Sequence, residues 1–247
     1  MSNAPHPFIL PKERAIIIIG NYGSGKSEVA VNWALKMKEW GVSPLAIADL
    51  DIVNPYFRSR EAHEIMESRG INVVAPRGGH FYADLPIVLP EIKGLFQNPE
   101  GTAVFDVGGE DAGSRILSSF EGFIPEYELL MVLNANRPFT NTLENTRKMM
   151  AMLERASGLR ITGFIGNTHL MDETDAEIII RGHEFVLKIS EETGVPVRFI
   201  TARAQYYEEV MAKSSGTPVL SLERTLRPPW SPADQVVSAG TGPAIRI

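Results

Sequence analysis

Eight consecutive residues, Gly20-Asn21-Tyr22-Gly23-Ser24-Gly25-Lys26-Ser27, fit the spacing G-x-x-x-x-G-K-[ST]. The chemistry such a run serves is phosphate binding. Its glycines let backbone N–H groups curl around phosphate oxygens without Cβ clashes. A helix beginning at its end adds partial positive charge. Lys26 then reaches the β- and γ-phosphates, and the Ser27 hydroxyl ligates Mg²⁺. Glu28, the next residue, is counted with the nucleotide-binding run. Three acids are candidates to complete such a site: Asp49, Asp51 and Asp106. An acid directly after an apolar strand is the usual second anchor of a magnesium site, and Asp106 fits that place. Gly109 would supply a mobile N–H near the γ-phosphate. Asp is also a common helix cap and turn residue, so a purely structural role competes at each of these acids.

The elements needed to position these groups are legible around them. Ala15–Ile19 is a β-branched apolar run that reads as a buried strand. After Ser27, Val29, Ala30, Trp33, Ala34 and Met37 recur at helical spacing. Further strands are expected at 44–48, 71–75, 102–105, 128–133, 160–165 and 197–201, with helices clearest at 141–157 and 174–193. Strands alternating with helices imply an α/β fold, a mostly parallel doubly wound sheet in a three-layer α/β/α arrangement. Chemistry then gathers at the carboxyl ends of the strands. The sequence suggests an N-terminal arm at 1–13, read as loose, one nucleotide-binding domain at 14–226 and a C-terminal tail at 227–247 without periodicity.

Composition narrows the function classes. The chain has 247 residues, 44% of them hydrophobic, enough for a substantial core. A net charge of −6 argues against nucleic-acid coating. With no cysteine, no iron–sulfur cluster or thiolate zinc site is expected from this chain. The five histidines have no paired metal-ligand spacing, and a lone histidine such as His169 reads as packing or surface. No apolar run approaches the roughly 20 residues that span a bilayer. The expectation is a cytoplasmic protein without membrane or nucleic-acid partners.

Four separated segments resemble the MinD/ParA-type P-loop ATPases of the SIMIBI class. They are the phosphate loop, Asp49-Leu50-Asp51 with Asn54-Pro55, Asp106-Val107-Gly108-Gly109, and the stretch from Thr201 to Leu220. The resemblance implies that Asp51 positions or polarises the attacking water and contributes to the metal site. It implies that Asp106 is the switch acid near Mg²⁺, that Asn167 hydrogen-bonds the base, and that the Ala202–Arg203 loop flanks the base. It also implies a final strand after Gly216-Thr217-Pro218-Val219 and a homodimer formed around ATP. One departure stands out. The family's second loop lysine is replaced by Asn21, and the loop is closer to those of the UreG/HypB metallochaperone GTPases. If a cation is needed in its place, Arg58 or Arg60 is the local candidate.

Base choice follows from Asn167-Thr168-His169-Leu170. Guanine-selective nucleotidases carry Asn-Lys-x-Asp, and Leu170 stands where that aspartate would be. An Asn carbonyl accepts from the adenine amino group, so ATP is expected. The leading reading is a Mg²⁺-dependent ATPase switch serving assembly, maturation or delivery of a partner protein. Two alternatives stay open: an ATP-dependent small-molecule phosphotransferase or ligase, and a non-hydrolysing nucleotide-binding regulator.

Overall fold

Ile16, Ile17, Ile18 and Ile19 are all fully buried in strand β1 (Ala15–Gly20). Complete burial of consecutive residues requires cover on both faces and a strand on each side. The computed structural model supplies both. It describes residues 9–51, 63–75, 90–109, 111–120, 122–124 and 126–224, with only the backbone at 111–114. β1 lies between β4 (Thr102–Gly108) and β5 (Tyr127–Leu133). The remaining strands are β2 (Leu45–Leu50), β3 (Asn72–Val74), β6 (Gly163–Gly166), β7 (Val197–Arg203) and β8 (Val219–Leu222). Their order is β3-β2-β4-β1-β5-β6-β7-β8, and every pairing is parallel.

The pleat sends alternate residues of β1 into two cores. Ile16 and Ile18 join Val29, Trp33 and Met37 of α1 (Lys26–Glu39) and Met66 of α2 (His63–Ser68). Ile17 and Ile19 join the opposite core. It contains Phe96 of α3 (described over 90–97), Leu117 of α4 (Asp111–Ser118), Leu153 of α5 (Leu143–Ser157) and Val186 of α6 (Ala176–Thr193). A smaller cluster closes the β7–β8 edge with Val210 of α7 (Tyr207–Lys213). Tyr206 and Tyr207 pack partly buried against it, as core or interface residues do. Trp33 is fully buried, meets Phe199 edge-on at 4.9 Å, and donates its indole N–H to Ile9.

The elements match the sequence expectations, with shifted ends. Thr142 and Asp175 accept hydrogen bonds from Asn145 and Ile178 as caps, so the two long helices start just after them. β2 and β4 run further than expected and include Asp49 and Asp106, which therefore lie within strands rather than after them. Asp is disfavoured in strands, but here the ladder continues, pairing Asp49 with Asp106 and Asp106 with Ile18. The described end of the N-terminal arm is also not loose. Ile9 is buried, Leu10 accepts from Arg198, and Lys12 donates its backbone N–H to Glu128. Residues 1–8 and 225–247, as well as Arg58 and Arg60, lie outside the described residues.

Candidate functional site

The phosphate loop joins the carboxyl end of β1 to α1. Gly23 and Gly25 have φ of 75° and 82°, a left-handed geometry that glycine adopts without penalty. Gly25 caps α1, yet no side chain satisfies that helix start. The contrast with α5 and α6, capped by Thr142 and Asp175, is direct. An N-terminus with open N–H groups and positive dipole is a ready site for an anion. Close packing fixes the rest of the loop. A Cβ on Gly109 would come 1.8 Å from the Gly20 carbonyl oxygen, so only glycine fits there.

Strand alternation brings the acids to the same helix start. Asp49 and Asp106 face the α1 side of the sheet, in line with Ile47, Ile18 and Val104. Lys26 pairs with Asp51, and both are buried. Burial alone would lower the Lys26 pKa. The Asp106, Asp51 and Asp49 carboxylates outweigh it and hold that pKa above the ordinary value. Asp51 donates its backbone N–H to Asp49 at 3.1 Å. Asp106 is fully buried, and neither carboxyl oxygen has a hydrogen-bond partner. Burial pushes its pKa up to about 6, against the pull of Lys26, with Asp51 adding repulsion and Ser27 a smaller opposing effect. Among the described residues no three histidines or carboxylates are grouped to hold a metal unaided. The acids instead surround a lysine and the Ser27 hydroxyl.

On the other side of the loop a cavity of about 310 Å³ opens. It is lined by the loop itself from Asn21, together with Glu28, Asn167, Thr201, Ala202 and Arg203. Asn167 donates to the Ser24 carbonyl at 2.7 Å and accepts from the Thr201 hydroxyl at 2.6 Å. It thus braces the loop against β7. A Cβ on Gly25 would lie 2.3 Å from the Asn167 side-chain nitrogen. The Arg203 side chain turns to Asp172, which also pairs with Arg224. Past β8, Asn32 of α1 holds Glu223 through both backbone groups, closing that wall.

The loop, Asp51, Asp106, Gly109, Asn167, Ala202 and Arg203 therefore gather around one strand end. Sequence reasoning missed three contributors. Arg137 and Asn134, from the turn after β5, both donate to the Gly23 carbonyl, at 3.0 and 3.4 Å. His169, read as packing or surface, lines the cavity. Its Nδ1 accepts from the Met171 N–H, while buried Nε2 has no partner. Burial first, then Arg137 and Arg203, lower its pKa to about 4. The signal for all three lay in strand order, which brings β5 and β6 beside the loop.

No protein-family model and no curated protein matches the sequence. The structure is similar to the signal recognition particle 54 kDa protein from Aeropyrum pernix K1, solved in complex with GDP. That match has 18% identity and a TM-score of 0.53, and covers 79% of this chain and 43% of that one. It is similar to FtsY from Mycoplasma mycoides, with 16% identity, a TM-score of 0.52, and coverage of 78% and 61%. It is also similar to cell division protein FtsY from Thermotoga maritima, with 17% identity, a TM-score of 0.51, and coverage of 81% and 66%. The chain spans less than two thirds of the length of each of these structures. At such identities the likeness concerns the fold alone, a parallel sheet in the three-layer α/β/α arrangement of P-loop nucleotidases.

Proposed function

We propose that this chain is a Mg²⁺-dependent, ATP-hydrolysing nucleotide switch of the MinD/ParA kind. The observation that carries the reading is the meeting of Lys26, Ser27, Asp51 and Asp106 at an uncapped helix N-terminus beside a cavity. The two unpartnered, buried Asp106 oxygens near Ser27 fit a hard cation. Mg²⁺ takes one or two protein oxygens and fills its shell with phosphate and water, so no larger carboxylate cluster is needed. Ser27 and Asp106 would hold it, with Asp51 close by, and the ion's charge would offset that of the phosphates.

The other steps belong to the chain's own groups. Loop amides and Lys26 take up phosphate charge. Asp51, released from Lys26 as phosphate arrives, orients the water that attacks the γ-phosphorus while ADP leaves. The Gly109 N–H would serve the γ-phosphate. Asn167, Ala202 and Arg203 stand along the base. Two features support ATP over GTP. The Asn167-Thr168-His169-Leu170 run has no aspartate at its fourth place, and Asp172 is already engaged by two arginines. Asn21 cannot supply the cation of the family's second lysine, so turnover is slow until a homodimer partner or a client protein completes the site. The client is a protein to be assembled, matured or delivered, and the work is cytoplasmic.

Phosphate release from ATP in the absence of any acceptor tests the proposal. The expected result is Mg²⁺-dependent release that disappears with Lys26→Ala. Turnover only after a small-molecule acceptor is added would replace the switch with a phosphotransferase. Binding with no turnover under any condition would leave a nucleotide-sensing regulator.

A further inference from the structure

Arg137 occupies a turn whose shape is closed several times over. Its N–H donates to the Asn134 carbonyl at 3.1 Å, which also accepts from the Thr140 hydroxyl at 2.8 Å. The Thr140 N–H returns to the Arg137 carbonyl at 3.0 Å. The side chain is therefore delivered from a fixed base. Its Nε donates to the Gly23 carbonyl at 3.0 Å. A Cβ on Gly23 would stand 2.8 Å from that Nε, so the arginine packs against bare backbone.

The remaining guanidinium donors define its second task. A guanidinium carries five N–H groups in one plane, and Nε uses one of them. Among the described residues no carboxylate pairs with Arg137, whereas Arg203 and Arg224 both pair with Asp172. Arg137 lines the same cavity as Asn167, Thr201 and His169. Those neighbours are neutral, since His169 is held uncharged by burial between two arginines. An arginine whose inner edge is spent on the loop carbonyl, and which pairs with no carboxylate among the described residues although Glu28 and Glu223 also line the cavity, keeps donors and a planar group that suit an electron-rich aromatic ring or sugar oxygens.

We propose that Arg137 is a nucleoside-contacting residue, one that links occupancy of the base cavity to the shape of the phosphate loop. This rests on the nucleotide reading above and deepens it. Seating the purine and ribose orders the guanidinium, and the guanidinium fixes Gly23. Phosphate alone gains only the second of these contacts.

The test compares Mg·ATP with inorganic tripolyphosphate, which has the phosphates but no nucleoside, on the parent protein, Arg137→Met and Arg137→Lys. Arg137→Met should weaken ATP about tenfold more than it weakens tripolyphosphate, the loss of one stacked or hydrogen-bonded cation. Arg137→Lys, which restores a donor for Gly23 but no flat face, should recover tripolyphosphate affinity while ATP stays weakened. Equal losses for both ligands would reduce Arg137 to a brace of the loop and overturn the proposal, as would no loss for either. A parent protein that binds tripolyphosphate but not ATP would overturn the nucleotide reading itself.

Discussion

On one side of the phosphate loop, Asp49, Asp51 and Asp106 gather at one buried cation, Lys26. On the other, Asn167 donates to Ser24 and accepts from Thr201, with no formal charge in the pair. The Asn167 side chain is satisfied by the chain alone. The Asp106 carboxyl is not, as its unpartnered oxygens and raised pKa record. The Asp106 carboxyl is fully buried, where an ionised group without a partner is costly. The comparison separates an Asn167 bridge that is complete on folding from an Asp106 carboxyl that an added cation would satisfy. A metal-bound phosphate brings that cation and an anion together.

The largest way to break the contrast is to remove the cation. Lys26→Ala should lower ATP affinity by about 100-fold or more, because the charge on the phosphates is lost. It should also lower the melting temperature, since Asp106 and Asp51 lose the Lys26 charge beside them. Unchanged affinity in a titration of this variant would show that the charged half is not the phosphate site. Asp51→Ala comes next. It should slow single-turnover hydrolysis by about 10²-fold with binding nearly intact, as expected of a group acting mainly in the transition state. A stability loss with the parent rate would make Asp51 structural.

Asp106→Asn sharpens the comparison through pH. The folded carboxyl titrates near 6, against 3.8 unperturbed. An acid with a raised folded pKa stabilises the fold least where it must ionise, so stability falls as pH rises from about 4 to about 6. The Asn variant should therefore melt higher than the parent above pH 6 without nucleotide, by a few kcal/mol at most at about 1.4 kcal/mol per pKa unit. Near pH 4 the two should coincide. The same variant should bind nucleotide with little response to Mg²⁺. A variant less stable than the parent at pH 8 would mean that the carboxylate is compensated in the fold. The smallest effect is expected at the Asn167 bridge. Thr201→Val removes the hydroxyl that donates to Asn167 and should cost about 1 kcal/mol of stability. ATP affinity should fall only a few-fold, read by the same titration.

These residues differ in how visible they were in the sequence. The charged half is local. Gly20 to Ser27 is one continuous run, and Asp51 and Asp106 follow apolar segments that read directly as strands. The cavity side is assembled by topology. Arg137 lies 114 residues from Gly23, and Thr201 lies 34 from Asn167. Only the adjacency of β1 with β5 and of β6 with β7 brings them together. His169 looked ordinary because its role depends on what surrounds it. The strand ends were misplaced at Asp49 and Asp106 because aspartate disfavours strands on average. The ladder between β2, β4 and β1 overrides that tendency here.

The central claim is that the charged half is completed by a metal-bound nucleotide. Calorimetric titration of ATP into the parent protein, once with excess Mg²⁺ and once with a chelator, addresses it most directly. Saturable one-to-one binding is expected in Mg²⁺, weakening at least about tenfold on chelation with the loss of one tuned metal contact. Equal affinity with and without Mg²⁺, or no binding in either, would contradict it.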